Sequence, residues 1–370
     1  MSSTTIDHRP TGVLKFGGSS FASAAHYRDV AAHISARVEA GERLVVVVSG
    51  MPGATEGLRE IARSIDPGVS VEALHGVLPL ADTIGAGLLR IALRSKGVDA
   101  VMLHGDRTGL RSDGTRHKAA TLTGFDPGPL QEAFTRAPVV VLPGGQADDG
   151  GGTPAWLGKN SSDLSATALA GALGLKTCEI YSDVNGVYDA DPRLVPEARR
   201  IPALSYEDVV LLGRHGAKVL HPEAVRTAQR HSVQIVCRLN TGEFEAGSVI
   251  DGVGDGIGVD AVIIDARSVV AEFGTSSEAE LALAALESAG VSVSVPDWPG
   301  RHLVVVNGGF FDVRRCLDEN GLTGEITEER MVTEVRSGHP VLHVAPTEAS
   351  ALDWGHRLHA DLRDRASVPA

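Results

Sequence analysis

Lysine and aromatic residues are scarce in this sequence, and cysteine is nearly absent. The 370 residues include six lysines, 4% aromatic residues and three cysteines. The cysteines (Cys178, Cys237 and Cys316) are odd in number and too far apart for a disulfide framework or a metal-binding spacing. We interpret them as buried, reduced thiols of a cytoplasmic protein.

Positive charge and long apolar runs are also missing. The formal net charge is −13, which argues against a nucleic-acid binder or a binder of anionic membranes. We find no apolar run of the ~18–20 residues that a membrane-spanning helix needs, and residues 1–10 lack the pattern of a signal peptide. We therefore expect no nucleic acid and no membrane as partners. A polyanionic ligand would need a few concentrated positive groups.

What the sequence contains is enough for a packed core. Hydrophobic residues make up 43% and charged residues 22%, and the length suggests about two domains. Over the first 240 residues, strand-like runs alternate with amphipathic stretches, which predicts an α/β domain with a mainly parallel sheet. The predicted strands are 12–16, 44–49, 100–103, 138–142, 177–182 and 233–238. The predicted helices are 21–40, 78–96, 162–173 and one beginning at 206.

Glycine and acidic residues accumulate over 240–260, which predicts a linker. After it, the pattern predicts strands at 268–273, 291–295, 302–306, 325–334 and 340–344, and helices at 278–289, 310–320 and 347–363. The order strand–helix–strand–strand–helix–strand is the ferredoxin-like arrangement.

The loop Lys15-Phe16-Gly17-Gly18-Ser19-Ser20 follows the first strand. Adjacent glycines at a strand-to-helix turn allow backbone N–H groups to approach a phosphate, and the lysine ammonium can reach the same group. In the Walker A motif the lysine follows the glycines, so this loop is not that motif. A glycine turn with a solvated lysine fits the local pattern equally well.

Four further segments carry polar side chains: Ser49–Thr55, Gly158–Asp163, Tyr181–Arg193 and Gly216–Pro222. Loops at the carboxyl ends of parallel strands are where α/β domains bind ligands. Taken singly, however, each of the first three is explained by an ordinary loop, a helix cap or a hairpin turn. The last contains Lys218, another of the rare lysines.

The order and spacing of these segments are more specific than any one of them. The set resembles the aspartokinase family, a branch of the amino-acid kinase superfamily. The matching pieces are VLKFGGSS (13–20), VVVVSGM (45–51), PVVVLPGG (138–145), LGKNSSDLSATALA (157–170), CEIYSDVNGVYDADPRLVPEARRI (178–201) and GAKVLHPEAV (216–225). The resemblance covers residues 10–245. It implies a catalytic domain there with the three-layer αβα amino-acid-kinase fold, followed by a ferredoxin-like, ACT-like domain at 260–365.

Aspartokinases transfer the γ-phosphoryl group of ATP to the side-chain carboxylate of aspartate, and Mg²⁺ arrives with the ATP. By motif position, the resemblance implies that Lys15 and Asp163 are catalytic. It implies nucleotide contacts from Gly17, Gly18, Ser19, Ser182, Asp183, Tyr188, Asp191, Arg193 and Lys218. It implies substrate contacts from Ser49, Thr55, Asp82, Lys159 and Ser162. No residue is implied as a protein ligand to a metal.

The departures from the family fall in the amino-acid pocket. Lys159 stands where the family has an arginine that grips the substrate α-carboxylate, and a lysine offers only a point charge. Asp82 aligns with a family glutamate that meets the substrate amino group. Three readings remain open: an aspartate kinase, a kinase diverged towards another small carboxylate, and a non-catalytic subunit that binds nucleotide or amino acid.

The C-terminal region departs further from the family, because the effector-site stretch of aspartokinases has only a partial echo in Pro296–Gly300. Inhibition by an end product is therefore not implied. Dimerisation or a scaffold role is as good an interpretation as sensing, and we expect a homodimer.

Overall fold

The computed structural model describes residues 10–116, 118–152, 154–252, 258–289, 291–308 and 311–366. The polar N-terminus, part of the predicted linker and the predicted helix start at Phe310 lie outside these residues.

The strands are β1 (Gly12–Phe16), β2 (Leu44–Val48), β3 (Ala100–Met102), β4 (Leu110–Ser112), β5 (Leu122–Phe125), β6 (Val139–Pro143), β7 (Gln146–Asp148), β8 (Pro154–Trp156), β9 (Thr177–Ser182), β10 (Val187–Tyr188), β11 (Arg200–Ile201), β12 (Ala203–Ser205), β13 (Gln234–Leu239), β14 (Ala246–Asp251), β15 (Ala261–Asp265), β16 (Val269–Phe273), β17 (Val293–Ser294), β18 (His302–Val306), β19 (Glu325–Ile326), β20 (Arg330–Arg336) and β21 (His339–Ala345). The α-helices are α1 (Ala24–Glu39), α2 (Ala54–Ile65), α3 (Val71–His75), α4 (Leu80–Ser95), α5 (Gly128–Phe134), α6 (Ser162–Ala172), α7 (Tyr206–Arg214), α8 (Pro222–His231), α9 (Ser276–Ser288), α10 (Val313–Glu319) and α11 (Glu348–Ala366).

The chain forms two compact units. The first contains 1–186 and 223–252, and the second contains 187–222 and 253–370. The predicted domain boundaries, 10–245 and 260–365, stay predictions.

The first unit is built on a mainly parallel sheet, as predicted. Its strands run in the order β14-β13-β9-β1-β2-β6-β3, and only β14 is antiparallel to its neighbour. All five residues of β2 are buried, since a parallel sheet covered on both faces reads as a continuous apolar run. β14 lies within the segment predicted as a linker.

Side-chain alternation along β1 determines which layer each residue faces. Leu14 and Phe16 pack into the core shared with α1 and α4. Lys15 lies between them in the strand and therefore points to the opposite face, where α6 packs against β1. The result is the predicted three-layer αβα arrangement, and it aims Lys15 at α6.

The stretch Val71–Ser95, which comprises α3 and α4, is long and apolar enough to span a membrane by length and composition only. α4 buries Ala86, Leu89 and Leu93 in the core of the first unit. Four other side chains of α4 are exposed: Leu80, Ile84, Leu88 and Ile91.

The second unit contains the predicted ferredoxin-like element order. Its antiparallel sheet runs β17-β18-β16-β19, which places the four strands in the order second, third, first, fourth. α9 and α10 cover one side of this sheet. The strand predicted at 325–334 is two elements, because β19 ends at Ile326 and β20 joins a separate sheet of order β15-β20-β21.

Candidate functional site

A buried ion pair joins the end of β1 to the start of α6. Lys15 Nζ lies 2.7 Å from Asp163 Oδ1, and the two side chains are only 12% and 10% exposed. Parallel pairing with β2 and β9 positions Lys15, and Asp163 lies in the first turn of α6. The fold thus brings together the two residues predicted to be catalytic. Each provides the charge partner that the other needs away from water.

The adjacent glycines Gly17 and Gly18 lie next to this ammonium group. A Cβ atom at Gly17 would lie 3.2 Å from Lys15 Nζ, and one at Gly18 would lie 3.0 Å from Gly50 O. Gly18 also begins a short 3₁₀ helix that ends at Phe21. Side chains here would crowd the lysine and the neighbouring loop. Glycine instead keeps the backbone open to a close ligand.

Ser19 is held by a residue from the far end of the first unit. The buried Asn240 places its side-chain amide 2.9 Å from Ser19 Oγ and 3.1 Å from Ser20 Oγ. Sequence reasoning missed Asn240. It follows β13 in a segment whose composition indicates only a turn.

Asp82 lies close to the Lys15–Asp163 pair. Its Oδ1 accepts a hydrogen bond of 2.6 Å from the Gly50 N–H. Burial raises the pKa of Asp82 to about 7, although the Gly50 N–H and the charge of Lys15 oppose the rise. A Cβ atom at Gly85 would lie 2.6 Å from Ser49 O, so α4 packs directly against the loop after β2. This close packing carries Asp82 into the site.

Two serines predicted to contact substrate also meet in the same unit. Ser49 Oγ donates to Ser162 Oγ at 2.9 Å. Ser49 follows β2, whereas Ser162 begins α6 beside Asp163. The hydroxyl pair therefore lies where the loop after β2 meets the first turn of α6, next to Asp163.

Lys159 lies opposite α2, and its charge partner there is a residue that the sequence did not single out. Lys159 Nζ is 3.6 Å from Glu56 Oε2, with the two side chains 36% and 47% exposed. The other Glu56 oxygen lies 3.5 Å from Arg59 Nε. Glu56 follows the predicted substrate residue Thr55 in the first turn of α2. An acidic residue there is typical of a helix N-terminus, so its sequence signal points only to helix stabilisation.

Ser182 is the last residue of β9, the strand beside β1, and Asp183 follows it. The Ser182 hydroxyl donates to Val184 O at 2.6 Å, and its carbonyl accepts from the Asn240 N–H at 2.8 Å. The loop after β9 is therefore fixed to the residue that also holds Ser19. This brings two predicted nucleotide-binding segments to one edge of the sheet.

The remaining predicted nucleotide residues lie in the second unit. Tyr188 of β10 pairs with Arg200 of β11, and Asp191 Oδ1 accepts the Arg193 N–H at 3.0 Å. Lys218 is close enough to Asp191 and Arg193 to interact with both electrostatically. Burial, together with the charge of a neighbouring arginine, lowers the pKa of Lys218.

Among the neighbouring charges, Arg267 lowers the pKa of Lys218 most. It comes from the C-terminal region together with Asp265, which opposes the change. Asp265 is buried and accepts the Gly308 N–H at 2.7 Å. Burial raises the pKa of Asp265. Neither residue lies in a segment that resembles a kinase motif, so the sequence did not indicate them.

A sequence profile described as the amino acid kinase family matches residues 10–238. Aspartokinase 2 of Bacillus subtilis is 36% identical over 239 residues, which is 65% of this chain and 58% of the relative. The aspartokinase of Mycolicibacterium smegmatis is 35% identical over 241 residues, 65% of this chain and 57% of the relative. The chain thus spans less than two thirds of the length of these curated relatives.

Solved structures show the same fold. Aspartate kinase from Synechocystis has a TM-score of 0.56 and 25% identity, and the match covers 88% of this chain and 60% of that one. Aspartokinase III of E. coli, solved with aspartate and ADP, has a TM-score of 0.70 and 18% identity over 95% of this chain and 99% of that one. These matches confirm the resemblance that the sequence motifs indicated.

Proposed function

Because the chain belongs to the amino acid kinase family, we propose that it transfers the γ-phosphoryl group of ATP to the side-chain carboxylate of L-aspartate, giving 4-phospho-L-aspartate. The observation that carries this proposal is the Lys15–Asp163 ion pair beneath the two glycines of the first loop. The relatives named above are aspartokinases, and one structural neighbour was solved with aspartate and ADP.

The reaction brings two anions together, so positive charge and positioning supply most of the catalysis. The acceptor carboxylate is already ionised at neutral pH, and no general base is needed. In this proposal Lys15 neutralises charge on the transferring phosphoryl oxygens, and Asp163 holds the ammonium group in place. The bare backbone of Gly17 and Gly18 leaves room for a phosphate beside Lys15.

The nucleotide contacts are proposed by motif position alone. They are Ser19, Ser182, Asp183, Tyr188, Asp191, Arg193 and Lys218. Within the described ranges, no three His, Cys, Asp or Glu side chains are grouped so that they could hold a metal ion. Following the family resemblance, we assign Mg²⁺ to the phosphates of ATP, with which it would arrive.

For the acceptor, we propose that Lys159 attracts the α-carboxylate and Asp82 the α-ammonium group. Ser49, Thr55 and Ser162 would supply hydroxyls around the reacting carboxylate. A second acceptor class, another small carboxylate, is supported by the contact between Lys159 and Glu56. Because that contact competes for the lysine charge, an α-carboxylate is held less firmly here than by a two-pronged arginine.

Hydroxylamine trapping tests the function. Purified protein with Mg-ATP and L-aspartate should yield an aspartyl hydroxamate, because hydroxylamine captures acyl phosphates. Lys15→Ala should abolish the signal, and Lys176→Ala, which removes an exposed lysine outside the site, should not. If the wild type forms a hydroxamate only with another small carboxylate, the assignment of L-aspartate as the acceptor is wrong. If it binds ATP without turning over any acceptor, the non-catalytic reading holds.

We also propose that the protein is a cytoplasmic homodimer. All three cysteines are buried and none of them forms a disulfide, which supports the proposal of a cytoplasmic compartment. Sedimentation equilibrium of the purified chain tests the oligomer, and a monomer at micromolar concentration would contradict it.

A further inference from the structure

A buried polar contact in the second unit ties the last helix to the segment that precedes β11. His359 Nε2 of α11 lies 3.0 Å from Asp189 Oδ1, and the two residues are 2% and 9% exposed. A carboxylate only accepts hydrogen bonds, so Nε2 is the nitrogen that donates here. Breaking a buried hydrogen bond of this kind is costly, because the polar group left behind has neither a protein group nor water to bond with.

Asp189 is a junction between three parts of the second unit. Its Oδ1 also accepts the Arg199 N–H at 2.7 Å, and its backbone carbonyl accepts the Val262 N–H of β15 at 2.7 Å. The residue therefore connects the β10–β11 hairpin, the sheet that contains β15 and the helix α11. With its hydrogen bonds intact, Asp189 has little freedom to move.

Asp189 is also next to proposed nucleotide contacts. It directly follows Tyr188 and precedes Asp191 by two residues. Because Tyr188 and Asp191 are joined to Asp189 by one and two peptide bonds, a shift of Asp189 displaces them as well. The same stretch continues into an apolar cluster in which Ala190 and Val195 pack with Leu358 and other residues of α11.

The polar contact stands where apolar packing is incomplete. A cavity of about 900 Å³ separates part of α11 from the hairpin, and Asp189, Arg200, His356 and His359 are among the residues that line it. The His359–Asp189 hydrogen bond joins the helix to the hairpin at the wall of this cavity, and Arg363 Nη1 of α11 makes a second contact with Glu197 O at 3.2 Å.

We propose that His359 is a positioning residue for the nucleotide site: through Asp189 it holds Tyr188 and Asp191 where ATP binds. The proposal rests on the proposed function, because it takes Tyr188 and Asp191 as nucleotide contacts. It assigns a role to the C-terminal helix in ATP binding that neither the motifs nor the relatives indicate.

The test is His359→Ala, read by both kinetics and binding. We expect KM for ATP, and the ATP dissociation constant from titration calorimetry, to rise about tenfold. We expect kcat to stay near wild type and KM for L-aspartate to change less than twofold. His359→Gln, which keeps an N–H donor at similar reach, should restore most of the affinity. His356→Ala, on the same helix and lining the same cavity, is the matched control.

A folded His359→Ala protein with unchanged ATP affinity would overturn the proposal, and so would equal loss in the His356→Ala control. Should His359→Ala fail to fold, His359→Leu takes its place, because leucine keeps most of the side-chain volume and has no N–H donor. A folded His359→Leu protein must then bind ATP more weakly without binding aspartate more weakly, and unchanged ATP affinity would overturn the proposal.

These experiments distinguish failure of the positioning role of His359 from failure of the proposed kinase function. A wild type that binds ATP but forms no acyl phosphate still reports the effect of His359 on the ATP dissociation constant. A wild type that does not bind ATP refutes both ideas.

Discussion

Asp82 offers a quantitative test of the acceptor pocket, because burial raises its pKa to about 7. Asp82→Asn removes the ionisable group and keeps an oxygen that accepts the Gly50 N–H. The substitution therefore tests the negative charge of Asp82 separately from its hydrogen bond. The exposed Asp99, shortly after the same helix, provides the control Asp99→Asn.

The magnitude follows from the rise in the pKa. Each pKa unit corresponds to about 1.4 kcal/mol, so moving from 3.8 to about 7 penalises the ionised folded state by up to about 4 kcal/mol. Asp82 is partly accessible, and solvent screening reduces the figure to about 1–3 kcal/mol.

The sign is set by the direction of the pKa change. A folded-state pKa above the unfolded value means that stability is complete below pH 3.8 and is lost as pH rises through 7. Asparagine does not titrate and carries no such loss. The variant should gain stability relative to wild type as the pH increases.

The assay is urea unfolding at pH 4.5 and pH 8. The free energy of unfolding of Asp82→Asn relative to wild type should be higher at pH 8 than at pH 4.5 by about 1–3 kcal/mol. For Asp99→Asn, the difference from wild type in the free energy of unfolding should be the same at pH 4.5 and at pH 8. A difference for Asp82→Asn that does not change with pH, or a variant that is less stable at pH 8, would refute the assignment of a buried, easily protonated carboxyl group.

Three further substitutions test the charges around the acceptor. Lys15→Ala should lower kcat by at least about a hundredfold while the protein stays folded by circular dichroism; activity near wild type would mean that Lys15 is not catalytic. Glu56→Gln should lower KM for L-aspartate severalfold by releasing Lys159, with little change in the unfolding midpoint because the pair is exposed; a raised KM would show instead that Glu56 itself binds substrate. Lys159→Arg should also lower KM for L-aspartate through two-pronged contact with the α-carboxylate, and an unchanged or higher KM would indicate a pocket built for a different acceptor.

Local pattern predicted the elements of the central sheet well. β1 and β9 begin and end where predicted, and β2, β6 and β13 lie within one residue of their predicted bounds. Among these strands, β2 and β6 are continuous apolar runs that are buried throughout, since both faces of a parallel sheet are covered. The sequence pattern missed α2, α8 and the short pairs β4–β5 and β7–β8. The two helices are amphipathic but polar on average, so no apolar run marks them, and each of the four strands is only three or four residues long.

The site was predicted where motifs are contiguous. Lys15, the glycines and Asp163 are recognisable because they stand at motif positions in VLKFGGSS (13–20) and LGKNSSDLSATALA (157–170). Glu56, Asn240 and Asp265 have no such pattern. Each is a single polar residue, and only its contact with a distant segment distinguishes it from a cap or a turn.

The sequence by itself determined the family, the alternation of strands and helices, and the ferredoxin-like order of the C-terminal region. These depend on residue type and local periodicity, which are properties of neighbours along the chain. The tertiary structure alone decided that Lys15 meets Asp163, that Lys159 lies near Glu56 and that His359 bonds to Asp189 across 170 residues. Those pairings depend on packing between distant segments, and burial, which raises the pKa of Asp82, exists only after the chain has folded.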